Sequence, residues 1–176
     1  MKQLKYRLNN QYIFVDGYNI INSWDAFKSD TSPLEDQRDK LIDILTEYAH
    51  MTSEKIILVF DGYMVKKSPG AIYQHKSIIV VFTKEFETAD HFIEKELDRM
   101  GRVRRIRVAT SDNIEQQIIL SRGGSRISAR EFEIEVERSL NKIQKKINHL
   151  NKFSDSIGSL DEDLKKKLEN LKKNIK

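Results

Sequence analysis

Four short apolar runs mark the first two-thirds of the chain, and each leads into polar residues. They are YIFVD (Tyr12–Asp16), KIILVFD (Lys55–Asp61), IIVVF (Ile78–Phe82) and RIRVAT (Arg105–Thr110). Near-continuous apolar runs of this length predict strands covered on both faces. Helical spacing fills the intervals. Leu34, Leu41, Ile42, Leu45, Tyr48 and Ala49 make one apolar stripe, and Ala89, Phe92, Ile93, Leu97 and Met100 make another. Ile114 and Ile118 belong to a short third helix opened by Ser111 or Asp112. Phe132, Val136, Leu140, Ile143, Ile147 and Leu150 line a long one, and Leu160, Leu164, Leu168, Leu171 and Ile175 a last one.

Start signals support these helices. Ser32-Pro33-Leu34-Glu35 offers an N-cap serine, a proline at the first helical position and a capping-box glutamate. Thr88 can cap the second helix, and Ser128 with Glu131 forms another capping box. Tyr63–Ser77, containing Lys66, Lys67, Pro69, Gly70 and His75, predicts an exposed loop. The order is strand, helix, strand, strand, helix, strand, helix, helix. That order predicts an α/β domain with a mainly parallel sheet between helical layers, spanning residues 1–150. Residues 151–176 form a C-terminal amphipathic basic helix packed on the domain or extending from it.

Composition narrows the function. With 39% apolar and 33% charged residues the chain is an ordinary soluble globular protein. It has no cysteine, so disulfides, zinc–thiolate sites and cysteine nucleophiles are excluded. The N-terminus has no apolar leader core and no run reaches membrane-spanning length, so a cytoplasmic protein is expected. The four histidines are scattered, and there is no glycine-rich phosphate loop or nucleophile elbow.

The net charge of +4 is modest, but it is unevenly placed. RVRRIR (Arg102–Arg107) and the C-terminal KKKLENLKKNIK are densely basic, whereas acids gather at predicted strand ends. An acidic centre with basic flanks suits a polyanion held around bound cations, although a charge run can also be a solvated face.

In an open α/β sheet, ligands bind at the carboxyl ends of the strands. Asp16, Asp61, Asp90 and Asp112 all fall at that edge. Crowded carboxylates persist only when protonated or neutralised by cations. Asp16, Asp90 and Asp112, with Glu94 one turn after Asp90, suit Mg²⁺ or Mn²⁺, which take oxygen ligands and are often shared with phosphate groups. Asn19 can orient a phosphate, a water or an aspartate. Ordinary roles exist for several of these residues. Asp112 with Glu115 is also a capping box, Asp90 stands in a first helical turn where the dipole favours an acid, and Asp61-Gly62 can be a turn. Arg38 lies on the apolar stripe of the first helix and needs either an anionic partner or a snorkelling position. Asp16, between an apolar strand and Gly17-Tyr18-Asn19, is harder to explain structurally.

DGYN (Asp16–Asn19), FDG (Phe60–Gly62), FTKEFETAD (Phe82–Asp90), VATSD (Val108–Asp112) with Glu115-Gln116, and RGGSRISAREF (Arg122–Phe132) together resemble the YacP branch of the NYN-domain ribonucleases. The resemblance covers most of residues 12–150. It implies a PIN-like three-layer α/β fold, a divalent-metal endoribonuclease site and mRNA decay tied to the ribosome. Asp16, Asp90 and Asp112 match the acidic positions, Asn19 the signature asparagine, Arg38 the basic residue of the first helix, and Ser111 the residue before the last aspartate. At the end of the second strand only Asp61 carries the match. Asp61 and Glu94 are then auxiliary ligands, and Lys66, Lys67, Arg102, Arg104, Arg105 and Arg130 are expected to follow RNA backbone. Tyr18, Tyr63 and Tyr73 are candidates for stacking on unpaired bases, with core packing or an ordinary surface position as the equally ready alternative.

Two other classes use some of the same features. An RNA- or ribosome-binding module has no use for concentrated negative charge. A phosphoacceptor domain has strand-end aspartates with a threonine and a lysine nearby (Thr83, Lys84), but wants a pair of acids after its first strand, where Asp16 stands alone.

Overall fold

The computed structural model describes residues 3–62, 70–101, 105–111 and 124–145. The chain divides into two compact units, Met1–Glu137 and Arg138–Lys176. In the second, residues 138–145 are helical. The first unit holds strands β1 (Gln11–Asp16), β2 (Glu54–Phe60), β3 (Ala71–His75), β4 (Ile78–Phe82), β5 (Ile106–Ala109) and β6 (Ser125–Ile127). Its helices are α1 (Gly17–Ser23), α2 (Asp25–Lys28), α3 (Leu34–Tyr48), α4 (Ala89–Met100) and α5 (129–137).

The six strands form one sheet in the order β3-β4-β2-β1-β5-β6. All pairings are parallel except that of β3 with β4. The α/β class and mainly parallel sheet expected from the alternation of elements are therefore present. Chain order reverses about β1, which lies between β2 and β5, and such a switch point opens a crevice at the carboxyl ends of the strands.

Strand periodicity divides the core. Tyr12 and Phe14 of β1, Ile57 and Val59 of β2 and Val81 of β4 form one cluster with Phe92, Ile93, Leu97 and Met100 of α4. The alternate residues Ile13, Val15, Ile56, Leu58 and Phe60 are also fully buried, as are Leu41 and Leu45 of α3. Trp24 and Tyr48 pack against Phe132 of α5 with ring centroids 5.7 and 5.8 Å apart, and the Trp24 indole donates to the Ala129 carbonyl at 2.9 Å. The Ser128 capping box forms as expected. The Ser128 N–H donates to the Glu131 carboxylate at 3.0 Å and the Glu131 N–H to the Ser128 hydroxyl at 3.2 Å.

Several expectations need correction. Part of the supposed Tyr63–Ser77 loop is β3, an edge strand joined to β4 by the two-residue turn Lys76-Ser77. Lys76 takes φ 48°, as the primed turns of tight hairpins require. The sequence lacks the Asn-Gly signal for that turn, and β3 buries too little to show an apolar run. Between β1 and α3 the chain forms α1 and α2, of seven and four residues, too short for helical spacing to mark them in the sequence. Proline 33 is itself the N-cap of α3 and makes no side-chain cap bond. The Ser32 hydroxyl instead donates to Asp30 at 2.5 Å. A sixth strand follows the expected Gly123-Gly124 turn, of which only Gly124 is described. The helix expected after Ser111 and the C-terminal helix of residues 151–176 lie outside the described residues.

Candidate active site

Asp16 ends β1, on the same strand face as Tyr12 and Phe14, and is only 8% exposed. It is also the N-cap of α1, accepting the Asn19 N–H at 3.1 Å. Gly17 makes this abrupt strand-to-helix turn feasible, since a Cβ there would fall 2.3 Å from the Phe60 ring. The Asn19 side chain faces the other neighbouring strand, its Oδ1 accepting the Ser111 N–H at 2.9 Å. One turn of backbone thus fixes Asp16, Asn19 and Ser111 relative to each other.

On the opposite side, β2 ends one residue before Asp61. The Asp61 carboxylate accepts the Ala89 N–H at 2.5 Å, satisfying an orphan donor in the first turn of α4, where Asp90 stands. Thr88 caps the same helix by accepting the His91 N–H at 3.1 Å. Thr83, fully buried, fastens this corner. Its N–H donates to the Phe60 carbonyl at 3.0 Å, and its hydroxyl accepts the Gly62 N–H at 2.7 Å and donates to the Glu87 carbonyl. Gly62 lies so close that a Cβ there would stand 1.9 Å from the Thr83 carbonyl oxygen. The resemblance gave Gly62 no weight, yet only glycine fits that contact.

Electrostatics tie the acids together. Burial, followed in effect by the nearby Asp90 and Asp61 carboxylates, pushes Asp16 up to about 7 against the hydrogen bonds that hold it down. Asp61 is also raised, by burial and by Asp90. Asp16, Asp61 and Asp90 therefore share one crevice, as the sequence predicts. Such a set of oxygen donors, with more negative charge than its surroundings neutralise, fits a hard divalent cation. Among the described residues no three acids or imidazoles already form a metal cage. Asp112, the remaining expected ligand, lies outside them. Glu94 follows one turn after Asp90 on α4, half-buried.

Arg38 reaches the same edge from α3. It donates to the Tyr18 hydroxyl at 3.1 Å, and its guanidinium lies 5.6 Å from the centroid of Phe82, the last residue of β4. No acid was needed to place it. Of the two roles open to Tyr18, base stacking or core packing, it takes the second and is buried against Phe60 at 5.2 Å. Tyr73 is part-exposed and stacks on Phe82 at 6.4 Å.

Two of the basic residues expected on RNA stand away from this crevice or are already paired. Arg105 precedes β5 and so lies at the opposite end of the sheet from Asp16. Arg130 pairs with Asp25 at 2.7 Å and Glu133 at 3.0 Å. Lys66, Lys67, Tyr63, Arg102 and Arg104 lie outside the described residues.

The YacP-like NYN domain family model matches residues 13–173. The chain belongs to that family. Proteins with NYN domains are usually nucleases. YacP of Bacillus subtilis strain 168 is 39% identical over 140 residues, which cover 78% of this chain and 82% of YacP. The crystal structure of Rae1 (YacP) from Bacillus subtilis is similar with a TM-score of 0.68 at 35% identity, covering 92% of this chain and 94% of that one. A point-mutant crystal structure of the same protein gives a TM-score of 0.69 at 35% identity, over 81% of this chain and 84% of that one.

The sequence reading missed Thr83 as an organiser of the site and Phe86 as a surface feature. Phe86 is 91% exposed, on the tight turn closed by the Glu87 N–H donating to the Lys84 carbonyl at 2.9 Å. The signal for Thr83 was its place between an apolar strand and a helix cap. For Phe86 it was a lone aromatic among charged residues.

Proposed function

We propose that the protein is a Mg²⁺- or Mn²⁺-dependent endoribonuclease that hydrolyses RNA phosphodiester bonds. The supporting observation is the buried Asp16 carboxyl, raised to about 7 beside Asp90 and Asp61 at the sheet's switch point. Asp16 and Asp90 would hold the cation together with Asp112. When bound, the ion supplies Lewis acidity to an attacking water and to the reacting phosphodiester. Asn19 holds the Asp16 turn against Ser111, and Asp61 fixes the first turn of α4 and with it Asp90. Arg38 offers its guanidinium to a phosphate at the same edge. Its contacts with Tyr18 and Phe82 leave its charge available, and arginine suits phosphate recognition.

The substrate we infer is mRNA, cut on or near the translating ribosome in the cytoplasm. Family membership supports this part of the reading. The experiment is cleavage of mRNA in a translating extract supplied with Mg²⁺ or Mn²⁺, comparing wild type with Asp16→Asn. Loss of cutting with retained RNA or ribosome binding supports the nuclease. Undiminished cutting removes Asp16 from the mechanism. A wild type that binds but never cuts favours an RNA- or ribosome-binding module.

A further inference from the structure

Below the α4 face, at the amino ends of the strands, lies a depression of about 280 Å³. Its lining includes Lys5, Arg7 and Lys55 and no acid. None of the three cations makes an ion pair among the described residues. Asn10, Gln74 and Ser77 add neutral hydrogen-bonding groups to the same walls. Grouped cations repel one another, and no acid lines this hollow to offset them. Three left unpaired around one hollow indicate an anionic occupant.

The hollow does not stand alone. A second depression on the same side is lined by Ile72, Lys84, Lys95 and Arg99. Its acids are engaged, Glu87 with Lys95 at 3.4 Å and Glu96 with Arg99 at 2.6 Å and with the Tyr6 hydroxyl. Ile72 of the upper depression and Gln74 of the lower are two residues apart on β3, so they share a strand face about 7 Å apart. Lys84 directly follows Thr83 at the carboxyl edge. Of the upper cations Lys84 alone has no ion pair among the described residues, so unpaired positive charge stands at the carboxyl edge beside the candidate active site and again, as Lys5, Arg7 and Lys55, at the opposite end of the sheet.

We propose that this groove carries the backbone of single-stranded RNA away from the active site, with Lys5, Arg7 and Lys55 holding its phosphates. The assignment rests on the ribonuclease reading above. A chain ligand is favoured over a lone phosphate because the two depressions follow each other along one strand and lead from the site where the chain would be cut. Unpaired cations lining a groove with neutral polar groups recognise backbone without reading bases.

The test measures binding of labelled single-stranded RNA of about twelve and about four nucleotides against salt concentration. It compares the Asp16→Asn protein with the same protein carrying Lys5→Gln, Arg7→Gln and Lys55→Gln. The longer RNA is expected to lose about tenfold in affinity, and its salt slope to fall by about 2, as three lost contacts at roughly 0.7 each require. The shorter RNA, held at the carboxyl edge, keeps its affinity. A charge-removing control at Lys28 and Lys40, on α2 and α3, leaves both unchanged. Equal binding of the longer RNA by both proteins, while wild type still cuts RNA, overturns the groove alone. Equal losses for both lengths reduce it to a general charge effect and also overturn it. A wild type that neither binds nor cuts RNA overturns the groove and the nuclease reading together.

Discussion

The Asn19 side-chain oxygen accepts the Ser111 N–H at 2.9 Å, tying the first turn of α1 to the chain two residues beyond the end of β5. The Asn19 backbone N–H is meanwhile the donor that Asp16 caps. One residue therefore sets the spacing of the neighbouring β1 and β5 strand ends. Asn19→Ala removes the side-chain bond and leaves the capped backbone N–H. Ser111 is exposed, so water can replace the lost acceptor, and stability should fall by no more than about 1 kcal/mol. Cleavage should fall by about tenfold or more, because small misplacements at a reacting centre are costly. Paired measurements of melting temperature and cleavage rate check this. A large loss of stability would make Asn19 a structural residue instead.

Asp16 gives a prediction with opposite signs for stability and activity. Its folded-state pKa of about 7 lies above the ordinary 3.8, so the folded protein holds this proton more tightly than the unfolded chain. The associated stability is present below about pH 4 and is lost as pH rises through 7. Asp16→Asn should therefore stabilise the cation-free protein at pH 8, by an amount on the order of 3–4 kcal/mol, and change little at pH 4. Asparagine is as good an N-cap as aspartate, so α1 survives the change. Added Mg²⁺ or Mn²⁺ should raise the wild-type melting temperature at pH 8 and leave Asp16→Asn nearly unmoved. Equal shifts in both proteins would place the cation elsewhere.

Thr83 joins the end of β2 to the turn before α4, and its bonds are all inside the protein. Thr83→Val keeps the shape but strands the Gly62 N–H and the Glu87 carbonyl. A loss of about 2–4 kcal/mol is expected from the two unsatisfied groups. Gly62→Ala should be at least as damaging, since its new methyl meets backbone rather than a movable side chain. Denaturant unfolding of both variants measures these costs.

Phe86 should behave in the opposite way. Its ring is nearly all in solvent, so Phe86→Ala should change stability by less than about 0.5 kcal/mol. The turn that presents it is braced by Thr83 and leads into the helix carrying Asp90. A ring so placed can stack on an unpaired base beside the crevice, and such stacking contributes about 1–3 kcal/mol per base. RNA affinity of Phe86→Ala, measured in the Asp16→Asn background, should fall correspondingly. Phe86→Trp should retain it, and equal affinity for all three would remove the ring from the interface.

Much of this architecture could be read from periodicity alone. The four apolar strands β1, β2, β4 and β5 and the two helices α3 and α4 announce themselves because both faces of the sheet are buried there, leaving these strands almost without polar interruptions. The same burial brings Asp16, Asp61 and Asp90 to one edge, so their meeting could be foreseen once the strands were parallel. What stayed hidden has weak local signals. Strand β3 is half-exposed at an edge and follows Pro69-Gly70, and β6 has only three residues. Helix α1 begins inside the motif itself, where Asp16 serves as both cap and candidate ligand. Thr83 reads as a polar residue at a strand end, and its place between the apolar run and the Thr88 cap is the one local sign of its burial. Arg107 is a further case. It belongs to a basic run that suggests a nucleic-acid surface, but tertiary contacts give it a different task.

Arg107 of β5 reaches two glutamates at once. Its Nε donates to Glu54 at 2.8 Å and Nη2 to the other oxygen of the same carboxylate, while Nη1 and Nη2 each donate to Glu135 at 2.8 Å. The Tyr48 hydroxyl donates to Glu135 as well, so β2, β5, α3 and α5 meet at this guanidinium. The glutamates hold the Arg107 pKa above its usual range, and Arg107 holds the Glu135 carboxyl below its usual 4.5. For Glu135, whose folded pKa is depressed, the stability from the pair is present above the ordinary pKa and is lost as pH falls through the folded value. Arg107→Met should cost about 1–3 kcal/mol near neutrality, less than for a fully buried pair because the arginine and Glu135 are partly solvated. The difference between wild type and variant should shrink below about pH 4, as the Glu135 carboxyl is protonated in both. Urea unfolding at pH 7.5 and in steps down to pH 3 measures this convergence. A penalty that stayed constant across that range would mean that Arg107 acts through packing of its aliphatic stem rather than through its charge.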